Sequence, residues 1–216
     1  MAKDAASQAL LFDVGGVIVK AHPDPQFVAN LIGDGAPSLV SLVDQAMWAH
    51  RDSYDAGCSD REFWDQVAGD CGKAEVTDHV LSQLVAHDVA RMHHPDDITV
   101  ALINELHAEG VRLGILSNAP KSIAEEIRKT AWAKPFDELI FSHEHHVNKP
   151  SRGIYREAVK QMGVPADQLI FIDDRKRNVR AAELLGMGGI IWESAAQVRE
   201  ELVSRGILPV TSTKSA

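Results

Sequence analysis

Leu10-Leu11-Phe12-Asp13-Val14-Gly15-Gly16-Val17-Ile18 is an apolar run that breaks onto a carboxylate and then onto two glycines. A short apolar run bounded by turn residues reads as a buried β-strand. Three later segments follow the same plan. Leu113-Gly114-Ile115-Leu116 runs into Ser117-Asn118, and Leu169-Ile170-Phe171-Ile172 runs into Asp173-Asp174. The strand-like Leu139-Ile140-Phe141 precedes Asn148-Lys149-Pro150. In an open α/β sheet, ligands bind beyond the carboxyl ends of the strands. The segments therefore predict that Asp13, Ser117-Asn118, Lys149 and Asp173-Asp174 meet at one edge of a sheet. Such a group suits Mg²⁺ and a phosphate, with a carboxylate poised to attack.

Around these segments the chain divides by pattern. From Pro95 onward, helical spacing alternates with short apolar runs, which predicts a parallel sheet covered on both faces. Ile98, Leu102 and Leu106 mark one helix, stopped by Gly110. Helices near residues 122–130, 154–162, 178–185 and 195–205 alternate with strands at 112–116, 138–141, 169–172 and 189–191. Between His22 and His94 no buried-strand run occurs. Leu39, Leu42, Val43, Ala46 and Met47 lie on one helical face. Ser59-Asp60-Arg61-Glu62 is a capping box that opens a helix carrying Phe63, Trp64 and Val67. A further helix carries Val80, Leu81, Leu84 and Val85. The predicted organisation is an α/β core of residues 1–20 and 95–216, with a small all-helical cap, residues 21–94, inserted after the first strand. Trp48, Tyr54, Phe63 and Trp64 are expected in the core of that cap, with any one of the four a candidate to face the substrate instead.

Bulk properties narrow the function. The chain has 216 residues and a formal charge of −9, with no basic run. Nucleic acid and anionic membrane surfaces need a positive footprint and are not expected partners. Cys58 and Cys71 match no metal or redox spacing and read as reduced residues. No long apolar span or signal peptide is visible, so a soluble, cytoplasmic protein is expected, as a monomer or homodimer. The tail from Val210 to Ala216 is polar and small, and fraying is expected there.

Phe-Asp-x-x-Gly-Val-Ile, Leu-Ser-Asn, Lys-Pro-x-x-x-Ile-Tyr and Phe-Ile-Asp-Asp-x-x-x-Asn-Val-x-Ala-Ala-x-x-x-Gly-Met, in this order, resemble the haloacid dehalogenase (HAD) superfamily. The resemblance covers the chain outside the cap. It implies a Rossmann-like core, a helical cap and an aspartyl-phosphate mechanism. It further implies Asp13 as the nucleophile, and Lys149 as the cation that contacts both this carboxylate and the phosphate. Asp174 would be a direct Mg²⁺ ligand with Asp13 and the Gly15 carbonyl, and Asp173 would stand just behind. Independently of family, three close carboxylates repel unless a cation sits between them, and a few hard oxygen ligands suit Mg²⁺. The Ser117 hydroxyl and neighbouring N–H groups are placed to bind phosphoryl oxygens, with Asn118 beside them. Asn178 orients the site or stabilises a turn.

The chain departs from the family pattern at Gly15. Phosphatases that resemble it usually carry a second Asp there, which protonates the leaving oxygen. His22, Asp24 or a cap residue would have to replace it. His143, His145 and His146 are read as a solvated loop, and His93-His94 as a hinge between cap and core. The expected activity is Mg²⁺-dependent hydrolysis of a small phosphorylated metabolite such as a sugar phosphate. The rivals are a haloacid dehalogenase and a catalytically weak protein that binds a phosphorylated ligand. Dehalogenases resemble Ser-Ser-Asn at the fourth motif, so Asp173-Asp174 favours the phosphatase.

Overall fold

The computed structural model describes residues 8–20 and 23–210. Five strands form one sheet: β1 (Ala9–Phe12), β2 (Leu113–Ser117), β3 (Glu138–Phe141), β4 (Leu169–Asp173) and β5 (Gly188–Ile191). All pairings are parallel, in the order β3-β2-β1-β4-β5. The first strand is thus central, with β2 on one side and β4 on the other. In a strand, successive side chains point to opposite faces. Leu10 and Phe12 accordingly enter one apolar cluster, while Ala9 and Leu11 enter the other. Both faces are buried, which is why the strands show no polar alternation.

Helices α5 (Asp97–Ala108), α6 (Lys121–Ile127) and α10 (Ala195–Ser204) contribute to the cluster behind Phe12. Helices α8 (Arg152–Met162) and α9 (Lys176–Glu183) contribute to the cluster on the opposite face. Between β1 and β2 lie α1 (Pro25–Ile32), α2 (Pro37–Asp55), α3 (Asp60–Asp70) and α4 (Asp78–Ala90). These four helices bury a cluster of their own, with Tyr54, Phe63, Trp64 and Val67 at its centre. Tyr54 stacks on Phe63 with ring centroids 4.0 Å apart. Ser59 caps α3, its hydroxyl accepting from the Glu62 amide. Among the described residues, no helix is long and apolar enough to cross a membrane.

Several sequence expectations are corrected. Leu42 is 47% exposed and lies outside the cluster that Leu39, Val43, Ala46 and Met47 join. Ile98, in the first turn of α5, is 69% exposed at the rim of an open groove. Trp48 leaves the helical core and lines the cavity described below. His143 and His145 lie in a one-turn helix, α7 (Ser142–His145), and His146 follows with a left-handed backbone. The cysteines match their expectation: Cys58 is half-buried, Cys71 is buried, and neither forms a disulfide. Of the tail, only Val210 falls within the described residues, and it is exposed.

Candidate active site

The sheet delivers its chemistry at the carboxyl ends of β1, β2 and β4. Asp13 continues the β1 ladder, its amide donating to the Ile172 carbonyl. Its Oδ1 accepts from the Val14 amide at 2.7 Å and pairs with Lys149 Nζ at 2.8 Å. Lys149 also donates to Asp173 Oδ2 at 2.7 Å and to the Leu116 carbonyl at 2.9 Å. An ammonium has three protons, and all three are placed. The lysine is buried, contrary to the ordinary fate of its residue type.

Asn118 fixes this lysine from behind. Its amide oxygen accepts from the Lys149 N–H at 2.8 Å, and its amide nitrogen donates to the Lys149 carbonyl at 3.1 Å. Both ends of the side chain are thus spent on the lysine backbone. Ser117, at the end of β2, is buried and lines the cavity, and its hydroxyl has no protein partner among the described residues. It is the group left open to a ligand oxygen.

The adjacent aspartates have different surroundings. Asp173 is fully buried and accepts from Lys149, from the Arg175 amide and, through both oxygens, from the Asn178 side chain. Asp174 is exposed, and among the described residues its carboxylate makes no ion pair and no hydrogen bond to another residue, its own backbone amide alone bonding to it. Oxygens of Asp13, Asp173 and Asp174 lie within 4.8 Å of one another, and no other such cluster of His, Cys, Asp or Glu occurs among the described residues. The donor set is hard, acidic and partly unsatisfied, which fits Mg²⁺. Asp13 and Asp174 have oxygens to give, with Gly15 lining the same cavity.

Electrostatics follow from burial. Burial pushes the Asp13 carboxyl up to about 7, Lys149 opposes that shift, and the Asp173 charge adds to it. For Asp173, burial also pushes upward, but Lys149 and the hydrogen bonds outweigh it and hold the carboxyl below its ordinary value. Burial disfavours the Lys149 charge, yet Asp13 and Asp173 together raise its pKa. Burial, and then the Asp173 charge, raise Asp174.

Above these residues lies a cavity of about 280 Å³. Its far wall comes from α2, through Trp48, one of the four aromatics that the sequence offered as facing a substrate, and through Arg51, Asp52 and Asp55, which the sequence did not single out. The available signal was the i, i+4 pair Arg51–Asp55, an Nε–Oδ1 contact of 2.8 Å at the end of an otherwise apolar stripe. The core holds this end of α2 by its carbonyls. Asn148 Nδ2 donates to Asp52 at 2.6 Å, His146 Nδ1 to Ala56 at 2.9 Å, and the Ser142 hydroxyl to Asp55. The His-x-His-His segment therefore serves packing, with His145 hydrogen-bonded to Gln161. His93 pairs with Glu126 beside the short 3₁₀ turn at Arg91–His93, where the chain returns to the core. Tyr155, also missed, donates to the Asn178 carbonyl and backs the Asp173 support.

The two named substitutes for the missing acid fare differently. Asp24 caps α1 through the Phe27 amide and does not line the cavity. His22 lies outside the described residues.

The family model for haloacid dehalogenase-like hydrolases matches residues 8–186. The sesquiterpene phosphatase astK of Aspergillus oryzae is 28% identical over 196 residues, covering 85% of this chain and 88% of that protein. A HAD family enzyme of Bacteroides thetaiotaomicron, solved with magnesium and inorganic phosphate, superposes with a TM-score of 0.64 at 21% identity. That match covers 86% of this chain and 94% of the other. The L-2-haloacid dehalogenase of Xanthobacter autotrophicus superposes with a TM-score of 0.65 at 21% identity, covering 94% and 84%.

Proposed function

Because the chain belongs to the haloacid dehalogenase-like hydrolase family, we propose that it is a Mg²⁺-dependent phosphatase of a small phosphorylated metabolite such as a sugar phosphate. The observation that carries this reading is the contrast between the two aspartates after β4. Asp173 is consumed by Lys149 and Asn178, whereas Asp174 stands free beside Asp13. A free carboxylate added to a buried nucleophile is a use for a cation, which a halide displacement does not require. The relative that is a phosphatase supports the same reaction class.

In this reading Asp13 attacks phosphorus and the ester oxygen leaves with the bonding electron pair. Water then hydrolyses the aspartyl phosphate, so one hard displacement becomes two easier ones. Lys149 keeps the Asp13 carboxylate oriented and offsets the charge that gathers on the phosphoryl oxygens. The Ser117 hydroxyl donates to one of those oxygens. Asp13, Asp174 and the Gly15 carbonyl would hold Mg²⁺, with Asp173 fixing Lys149 behind them. When bound, the ion would neutralise the repulsion between the carboxylates and the incoming phosphate. The four-helix block, residues 21–94, acts as a cap that closes the cavity over the phosphoryl site.

The cavity sits at the small end of ligand pockets, which run from about 300 Å³ upward, and its wall is mostly charged. A compact polar substrate fits it better than an extended hydrocarbon. The test is turnover of an aryl phosphate with Mg²⁺, with EDTA, and after Mg²⁺ is restored. Turnover that stops with EDTA and returns supports the reading. Metal-independent release of halide from a haloacid would establish the dehalogenase instead, and binding of phosphate without turnover would establish the ligand-binding rival.

A further inference from the structure

The chain carries a formal charge of −9, yet the part of the cavity wall that would face the substrate's leaving group is positive. Arg51, Asp52 and Asp55 come from α2, and Arg175 and Arg177 come from the turn after β4 and the start of α9. Three guanidiniums face two carboxylates. Only one of the three touches a carboxylate, Arg51 Nε pairing with Asp55 Oδ1 at 2.8 Å, while the charges of Asp88 on Arg51 and of Asp174 on Arg175 act without contact. The side chains of Arg175 and Arg177 make no ion pair or hydrogen bond among the described residues. The two Nη groups of Arg51 likewise have no hydrogen-bond partner among them.

Arg51 is also prepared for a ligand. Asp55 touches only Nε, as an ion pair without hydrogen-bond alignment, and leaves both Nη groups for a ligand, the pair of donors that grips a carboxylate or phosphate through two parallel bonds. The Asp52 and Ala56 carbonyls on either side are fastened to Asn148 and His146 of the core. The backbone that carries Arg51 is therefore set before any ligand arrives, and ordering it costs binding little. A neutral polyol would satisfy hydroxyl donors and acceptors on this wall but would leave its surplus positive charge unused.

We propose that the natural substrate carries a second anionic group, a carboxylate or a further phosphate, a few bonds from the scissile phosphoryl group. Arg51 grips that group, and Arg175 and Arg177 attract it at the cavity mouth. The proposal rests on the phosphatase reading for its placement of the phosphoryl group.

The test is binding, which needs no turnover. Calorimetry with Mg²⁺ present compares phosphonoacetate, propane bisphosphonate and hydroxyethylphosphonate; the last replaces the second anion by a hydroxyl. At least one of the two doubly anionic phosphonates binds at least about 10-fold tighter than the hydroxyl compound at low salt, and the preference shrinks at about 1 M salt. Whichever of the two binds tighter tells carboxylate from phosphate. Replacing the ion pair as a unit, Arg51→Gln with Asp55→Asn, leaves no buried unpaired carboxylate and lowers the preference at least about 5-fold. Arg177→Gln, on the exposed rim, lowers it about 2-fold. Equal affinity for the charged and hydroxyl phosphonates overturns the proposal. So does no binding of any of them, or a full preference in both variants. Failure of aryl phosphate turnover overturns the phosphatase reading separately, since the phosphonate comparison does not depend on it.

Discussion

Gly16 and Asp174 sit so close that a Cβ on Gly16 would lie 2.5 Å from Asp174 Oδ2. Gly16 also has a φ of +84°, a left-handed backbone that disfavours side chains. The second glycine of the first motif therefore makes room for the free carboxylate of the fourth. Gly16→Ala should displace Asp174 and raise the Mg²⁺ concentration for half-maximal activity by at least about 10-fold. The check is activity against Mg²⁺ concentration, with circular dichroism to confirm an intact fold. An unchanged Mg²⁺ requirement would detach Asp174 from the metal.

Asp13→Asn keeps the shape of the side chain and removes the nucleophile. Turnover of an aryl phosphate should fall by at least about 10³-fold. Turnover close to wild type, in a preparation checked for contaminating phosphatase, would take Asp13 out of the mechanism.

Asp173→Ala and Asp174→Ala should separate stability from metal binding. The first removes the acceptor of Lys149, Asn178 and the Arg175 amide, and leaves Lys149 with one carboxylate partner. Breaking such a buried pair costs about 3–5 kcal/mol, so its melting temperature should drop sharply. The second removes an exposed carboxylate that bonds to no residue but its own amide, so stability should hold while the Mg²⁺ requirement rises. Equal changes in both measurements for the two variants would contradict the division of labour drawn from their surroundings.

Stabilisation by Mg²⁺ should grow with pH. In the cation-free protein Asp13 titrates near 7, against an ordinary value of 3.8. Between those values the unfolded chain has lost this proton and the folded protein still holds it. Folded stability from Asp13 is therefore full below the lower value and falls as pH rises toward 7. Asp173, held low, works in the opposite sense and loses its contribution only as pH falls through its own depressed range. Mg²⁺ must displace the Asp13 proton, so the rise in Tm on adding Mg²⁺ should increase from about pH 5 to about pH 7.5 and then level. A rise in Tm that is flat across that range would mean that Asp13 is already ionised without the metal.

The glycine at position 15 should leave a kinetic mark. General-acid assistance contributes about 10²–10⁴-fold in typical enzymes. Without an Asp there, rates should depend steeply on leaving-group pKa in a single-turnover series of aryl and alkyl phosphates. Gly16, and not Gly15, has the positive φ, so Gly15→Asp is open to the backbone and should flatten the dependence. A flat dependence in the unaltered protein would mean that another residue supplies the proton.

How much of this was legible beforehand depends on the range of the interactions. The five strands and the convergence of Asp13, Ser117, Lys149 and Asp173-Asp174 could be read from the chain. Apolar runs that end on polar residues are local patterns, and a parallel sheet brings strand ends to one edge whatever the loops do. The helical block was legible for a similar reason, because its periodicity and its Ser59 cap are local. The family resemblance implied that Asp174 faces outward and Asp173 stands behind it, but the physical reason is tertiary, because it depends on where Lys149 and Asn178 reach across the sheet. The tertiary structure also decided that Asn118 clamps the lysine backbone, and that Gly16 yields space to Asp174. Arg51, Asp52 and Asp55 entered the site because core side chains hold the carbonyls at the end of α2. Contacts between residues roughly ninety apart leave no mark in local composition or period, so only the folded chain reveals them.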